Sequence, residues 1–173
     1  MSWLLLWVHL VALAVWLGET VFFGVVVAPA LFGGLDPQQA GATVALIFPG
    51  YYLTGYICGA LLIATALALW QRSGLGGGLW VVAALVAAVM LAAGLIAGLY
   101  ILPQADALRT QLHDPNLAPG LRERFDQLHR TAVQLNLVVL VGNLTLAGLV
   151  AGRLSRGLTP RRRLSRYGSD PLL

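Results

Sequence analysis

The sequence predicts an all-α fold, a four-helix transmembrane bundle. Three observations predict it. Of 173 residues, 58% are hydrophobic and 10% charged, against about 25% charged in a soluble domain. Four apolar segments each reach the roughly 20 residues that a helix needs to cross a bilayer. None alternates with a period of two as a barrel strand does, and in lipid the backbone is otherwise satisfied only within helices. The length suits one domain.

The spans run Trp3–Phe32, Phe48–Trp70, Leu79–Leu102 and Thr131–Gly152. The first lacks a basic leader, and its apolar stretch is about twice that of a signal peptide, so it is read as a retained helix. "GGLDPQQAGATVALIFPGYY" reads as a short helix that starts near Pro37 and enters the second span through a kink at Pro49. Pro103 is expected to kink the third span without ending it, with "QADALRTQL" as a helical extension. "DPNLAPG" reads as a turn. "LRERFDQLHR" then reads as an amphipathic helix leading into the fourth span, with Leu121, Phe125 and Leu128 on one face and an Asp126–Arg130 pair. Residues 1–153 form the expected membrane domain. Residues 154–173 read as a basic, disordered tail that anchors topology near anionic lipid.

There is no lysine, so basic residues are counted as arginines. Seven (Arg72, Arg153, Arg156, Arg161, Arg162, Arg163 and Arg166) flank one side and four (Arg109, Arg122, Arg124 and Arg130) the other. The positive-inside rule then places both termini in the cytoplasm, and the expected location is a bacterial inner membrane, crossed several times. Trp3, Trp7, Trp70 and Trp80 are expected at the inner interface, and Tyr51, Tyr52 and Tyr100 at the outer one. Three small-residue pairs, Gly55/Gly59, Gly94/Gly98 and Gly148/Gly152, predict close helix packing inside the bundle.

The polar residues inside the spans carry the functional question. Glu19 falls within roughly 3 Å of the midplane by helical rise. A bare charge there costs several kcal/mol, so this acid must be paired, hydrated or neutral. Its candidate partners at similar depth are Thr54, Tyr56, Asn136 and Asn143. His9 lies about 12 Å from that centre, on the face that also carries Trp16. His129 lies near the other boundary, roughly 30 Å away, so the two histidines cannot be axial ligands of one haem. His113 and His129, with Asp114 and Asp126, offer a surface metal site, and a structural role for His129 competes with it. Asn136 and Asn143 share one face of the fourth span, where interhelical hydrogen bonds are the ordinary use of asparagine.

Soluble catalytic patterns are absent: there is no phosphate loop, nucleophile elbow or HExxH. The lone Cys58 excludes an internal disulfide and a cysteine-based zinc site. The net charge of +4 sits in arginines at the span edges and does not point to nucleic acid. The expected partners are the lipid bilayer and a homo-oligomer or larger membrane complex.

"IFPGYY" and "LRTQLHDPNLAPGLRERFDQLHRTAVQLNLVVL", together with "HLVALAVWLGETVFFGVVVAPALF", resemble the transmembrane-protein-205-like family of four-helix membrane proteins. The likeness covers roughly residues 7–152 and rests on FP-x-YY joined with F-x-x-LH-x(6)-NL. It implies architecture and membrane location and no established chemistry. It marks Phe48, Pro49, Tyr51, Tyr52, Phe125, His129 and Asn136 as motif positions, and Arg130 stands where that family often has glycine. A shorter pattern, H-x(6)-W-x-G at His9, Trp16 and Gly18, is similar to copper-resistance D-type proteins and to bacterial membrane protoporphyrinogen oxidases, the latter holding haem.

Three functional readings follow. One is an accessory or scaffold protein with an intramembrane polar network of Glu19, Tyr56 and Asn136. Another is a protein that handles haem b or copper through His9. The third is a proton-coupled carrier using Glu19, for which four short spans offer little room in one protomer.

Overall fold

A computed structural model describes residues 2–73, 77–111 and 119–158. The chain folds into four long antiparallel helices, all apolar and long enough to cross a membrane: Ser2–Gly34, Pro37–Arg72, Gly78–Arg109 and Leu121–Ser155. Among the described residues there is no strand. Each span extends beyond the stretch expected from hydropathy, because amphipathic turns continue the helices at one end. That end, reached by Gly34, Pro37, Gln111 and Leu121, is called distal here; the other is the terminal end.

The first span is α1 (Ser2–Phe22), a π-helical turn at Phe23–Val27, and α2 (Ala28–Gly34). Leu35, in an extended conformation, ends it. The Asp36 carboxylate then accepts hydrogen bonds from the backbone N–H groups of Gln38 (2.9 Å) and Gln39 (3.0 Å), with Pro37 at the first helical position. This cap and proline fix the start of α3 (Pro37–Arg72). The short helix expected before the second span is therefore continuous with it through Pro49. The third span is α4 (Gly78–Leu95), a second π-helical turn at Ile96–Ile101, and α5 (Leu102–Gln111), which carries Pro103 as expected. Gly120 takes a φ of +86°, which a side chain would strain, and from there α6 (Leu121–Leu158) runs unbroken through the fourth span. The expected turn "DPNLAPG" begins outside the described residues, as do His113, Asp114 and the tail beyond Leu158; the helix itself continues past residue 153. Asp126 and Arg130 make no ion pair.

The helices form a ring in which α3 touches α1 and α4, and α6 touches α4 and α1. The main core fills the terminal half and centre: Leu13, Trp16, Leu62, Met90 and Leu146 are buried together. Small residues set the spacing. A Cβ at Gly55 would lie 3.0 Å from Trp16 Nε1, and one at Gly59 would lie 3.1 Å from both Trp16 Cζ3 and Leu91 Cδ1. One at Gly98 would lie 2.7 Å from Tyr52 Cγ. Two of the three glycine pairs thus serve packing within the bundle. Gly148 and Gly152 do not: nothing lies within 4 Å of a Cβ at either.

The aromatic belt differs from expectation. Trp3, Trp7, Trp70 and Tyr100 are exposed on the apolar surface, as belt residues are. Trp80 is only 5% exposed and stacks edge-on to His9, with ring centroids 5.5 Å apart. Tyr51 and Tyr52 are also buried. Interfacial position in sequence does not distinguish a ring facing lipid from one turned inward, because helix rotation decides it.

Candidate functional site

The distal half of the bundle contains a cavity of about 520 Å³. All four spans build it. Thr20, Phe23, Gly24 and Ala28 come from the first, and Gly41, Phe48, Tyr51 and Tyr52 from the second. Ala97, Ile101 and Arg109 come from the third, and Phe125, His129 and Asn136 from the fourth. Its size falls within the roughly 300–1,000 Å³ of small-molecule pockets.

Local backbone explains the space. A π turn holds an extra residue and departs from ordinary α-helical register, and such turns often accompany functional sites. Both π turns lie on this cavity, through Phe23 and Gly24 in one and Ala97 and Ile101 in the other. Pro49 and Pro103 each remove a helical hydrogen bond at the same end. Small side chains then leave the volume unfilled. On the first span α1 packs on α6, whereas α2 beyond the π turn leans on α3. The distal halves of the first and fourth spans are accordingly splayed. Phe32 and Val133, which line the cavity from these two spans, are more than half exposed.

The walls are apolar and aromatic. Phe23, Phe48, Tyr51 and Tyr52 form a cluster with ring centroids 5.2–6.0 Å apart, the range in which tilted and edge contacts are favourable. The polar groups are few and placed at the two ends. At the inner end the Tyr51 hydroxyl donates to Asn136 Oδ1 at 3.1 Å, reaching from α3 across the bundle to α6. The Thr20 hydroxyl stands beside it, and the Tyr52 hydroxyl borders Asn136 as well. At the distal rim lie His129 and Arg109. The Arg109 guanidinium is paired with Asp106 at 2.7 Å, and its side chain crosses Gly41, where a Cβ would stand 3.3 Å from Arg109 Cδ.

Six of the seven positions marked in the sequence by FP-x-YY and F-x-x-LH-x(6)-NL border this cavity; Pro49 does not. The amphipathic face of Phe125 and Leu128 also turns onto it. Arg109, Thr20, Phe23 and the small residues were not singled out in the sequence. A detectable signal was there: four prolines (Pro29, Pro37, Pro49 and Pro103) sit at one end of three spans.

The other polar candidates are dispersed. Glu19 faces α3, beside Thr54 and near Tyr51 and Cys58. One carboxyl oxygen is buried with no hydrogen-bond partner. It is not joined to Tyr56, which donates to the Gly94 carbonyl at 3.4 Å, nor to Asn136. No direct hydrogen bond joins Glu19, Tyr56 and Asn136; Tyr51 lies between Glu19 and Asn136, and Tyr56 and Asn136 border one small cleft together with Tyr51 and Tyr52. Asn143, one face with Asn136 but deeper in the terminal half, is fully buried and neither of its side-chain polar atoms meets a protein partner.

His9 is fully buried too, and its Nδ1 lies 2.8 Å from Thr65 Oγ1. That hydroxyl donates to the Leu61 carbonyl at 2.6 Å, so it accepts from Nδ1–H and leaves Nε2 as the lone-pair nitrogen. Nε2 has no protein partner. His9 does not border the cavity, and a haem on Nε2 would need space that buried core side chains occupy. Copper would need more ligands, and among the described residues no three His, Cys, Asp or Glu side chains converge. His9 and His129 stand in opposite halves of the bundle, as helical rise anticipates.

Comparison with known proteins places these residues in a family. An uncharacterized protein of Aquifex aeolicus (strain VF5) is 32% identical over 132 residues, covering 76% of this chain and 86% of that protein. No solved structure matches. A family described as a domain of unknown function, DUF4149, matches residues 11–114, which take in Glu19, both π turns and the FP-x-YY segment. By that match, over more than half of its length, the chain belongs to the DUF4149 family, a domain of unknown function.

Proposed function

We propose that this chain is a small accessory protein of the membrane that holds one apolar molecule, taken sideways from the bilayer, in its distal cavity. The observation that carries the reading is the cavity itself: about 520 Å³ of apolar space at membrane depth, between splayed spans. Water is a poor occupant of an apolar cavity, and apolar molecules fill one readily. The likeness to the transmembrane-protein-205-like family supports the reading, since six of the seven positions it marks line the space. On the arginine count, the distal end faces the outside of a bacterial inner membrane and both termini face the cytoplasm. The haem, copper and carrier readings rest on His9 and Glu19, which the fold sets outside the cavity.

The test is a cavity block. Ala132 lines the cavity from α6, and Ala132→Trp would fill part of it. Wild type and variant are purified in detergent, matched for helicity by far-UV circular dichroism, and titrated with monoolein under native mass spectrometry. Wild type is expected to take up one monoolein and to gain thermal stability as a bound ligand requires. The variant is expected to take up none. Equal uptake by both refutes the cavity as the binding site.

A further inference from the structure

Next to the inner end of the cavity lies a second, much smaller space, and a buried donor faces it. This cleft, of about 10 Å³, is bordered by Trp16 of α1, Gly55 and Tyr56 of α3, Gly94 of α4 and Asn136 of α6. Trp16 is 3% exposed, and among the described residues none accepts from its indole N–H. A tryptophan N–H buried this deeply ordinarily finds an acceptor, and an unpaired one is costly where lipid surrounds the bundle. The nitrogen is turned toward the cleft: a Cβ on Gly55 would stand 3.0 Å from Nε1. The other polar atoms around the cleft have acceptor capacity left. The Gly94 carbonyl takes only a long 3.4 Å bond from the Tyr56 hydroxyl among side chains, and Asn136 Oδ1 takes one bond, from Tyr51 at 3.1 Å. Each of these oxygens carries two lone pairs. The space is on the order of the ~10–15 Å³ that one water needs, and a buried water makes about three hydrogen bonds to groups that are otherwise unpaired.

We propose that this cleft binds a single water molecule, which accepts from Trp16 Nε1–H and donates to the Gly94 carbonyl and Asn136 Oδ1, and so joins the first, third and fourth spans beside the cavity. The site needs no ligand in the cavity and stands apart from the reading above.

The experiment reads the Trp16 indole proton by NMR. The full chain is labelled with ¹⁵N-tryptophan and held in detergent micelles, where its 5 tryptophans give separate indole signals. The signal of Trp16 is the one that Trp16→Phe removes. In wild type this proton is expected to show cross-peaks to water of opposite sign in NOE and ROE spectra, as dipolar transfer from a long-lived water gives and proton exchange does not. Gly55→Ala puts a methyl group in front of Nε1 and is expected to abolish the water cross-peak. Gly148→Ala, where nothing lies within 4 Å of the new Cβ, is expected to keep it. Tyr52→Phe and Tyr56→Phe, made singly, are also expected to keep it, which separates a bound water from an exchanging tyrosine hydroxyl. A wild-type Trp16 proton with no water cross-peak overturns the proposal, and this holds even if Gly55→Ala does not fold. A cross-peak that persists in folded Gly55→Ala overturns it as well, and so does one that disappears with either tyrosine hydroxyl.

Discussion

Gly98 is the position where packing near the cavity can be tested most sharply. It lies in the second π turn, facing two tyrosines of α3. A Cβ there would stand 2.7 Å from Tyr52 Cγ and 3.0 Å from Tyr52 Cβ, and would run into the Tyr56 hydroxyl. Tyr56 has an escape: its hydroxyl ends a flexible side chain and loses only a 3.4 Å bond to the Gly94 carbonyl. Tyr52 has none. The crowded atoms are next to its backbone, and its ring is held by Phe48 at 5.5 Å and Tyr51 at 5.3 Å. Relief therefore requires the π turn or α3 to shift. Overpacking of this kind costs about 1–3 kcal/mol, against a helix-propensity gain for alanine of up to about 1 kcal/mol. Gly98→Ala is expected to be destabilised by up to about 2 kcal/mol once the two figures are set against each other. The control is Gly148→Ala on α6, where nothing lies within 4 Å of the new Cβ. It should be neutral or gain up to about 1 kcal/mol. Both variants would be unfolded in mixed micelles by rising SDS fraction, with helicity followed by circular dichroism. A Gly98→Ala protein as stable as the Gly148→Ala protein would refute the contact argument at the cavity wall.

Two further outcomes follow from the terminal half and the midplane. Thr65→Val removes the acceptor of His9 Nδ1–H and leaves a fully buried donor unpaired, which is expected to cost about 1–3 kcal/mol; Thr65→Ser should restore most of it in the same SDS titration. Glu19→Gln keeps shape and removes the capacity for charge. Since a charge at mid-span costs roughly 2.5–3.5 kcal/mol, the variant is expected to be at least as stable as wild type, and a loss above about 1 kcal/mol would mean that interactions of the carboxyl group itself hold α1 on α3.

The spans, their number and their continuation past Pro49 and Pro103 were legible because each rests on local signals: apolar length, and prolines flanked by helix formers. The packing role of Gly55/Gly59 and Gly94/Gly98 was legible for the same reason. The facing of Trp80, Tyr51 and Tyr52 was not, because it depends on how each helix is rotated in the ring. Depth arithmetic set Glu19 level with Asn136 and Tyr56, but equal depth does not say which side chains bond directly: Tyr51 stands between Glu19 and Asn136. The cavity was hidden for a further reason. Hydropathy scores Gly24, Ala28, Ala97 and Ala132 as ordinary span residues, and an unfilled volume appears only when four helices present small side chains at one height.

The two π turns leave a mark in the spacing of what they line. Thr20, Gly24, Ala28 and Phe32 are four apart, and so are Ala97, Ile101, Ala105 and Arg109. In a plain α-helix a residue every four positions drifts about 40° around the axis at each step. The wider turns absorb that drift, so both stripes run almost straight along the bundle, like facing rails. A relative that keeps a small residue at every fourth place through these two segments keeps the slot; one that reverts to ordinary helical spacing would wind its stripe away and close it.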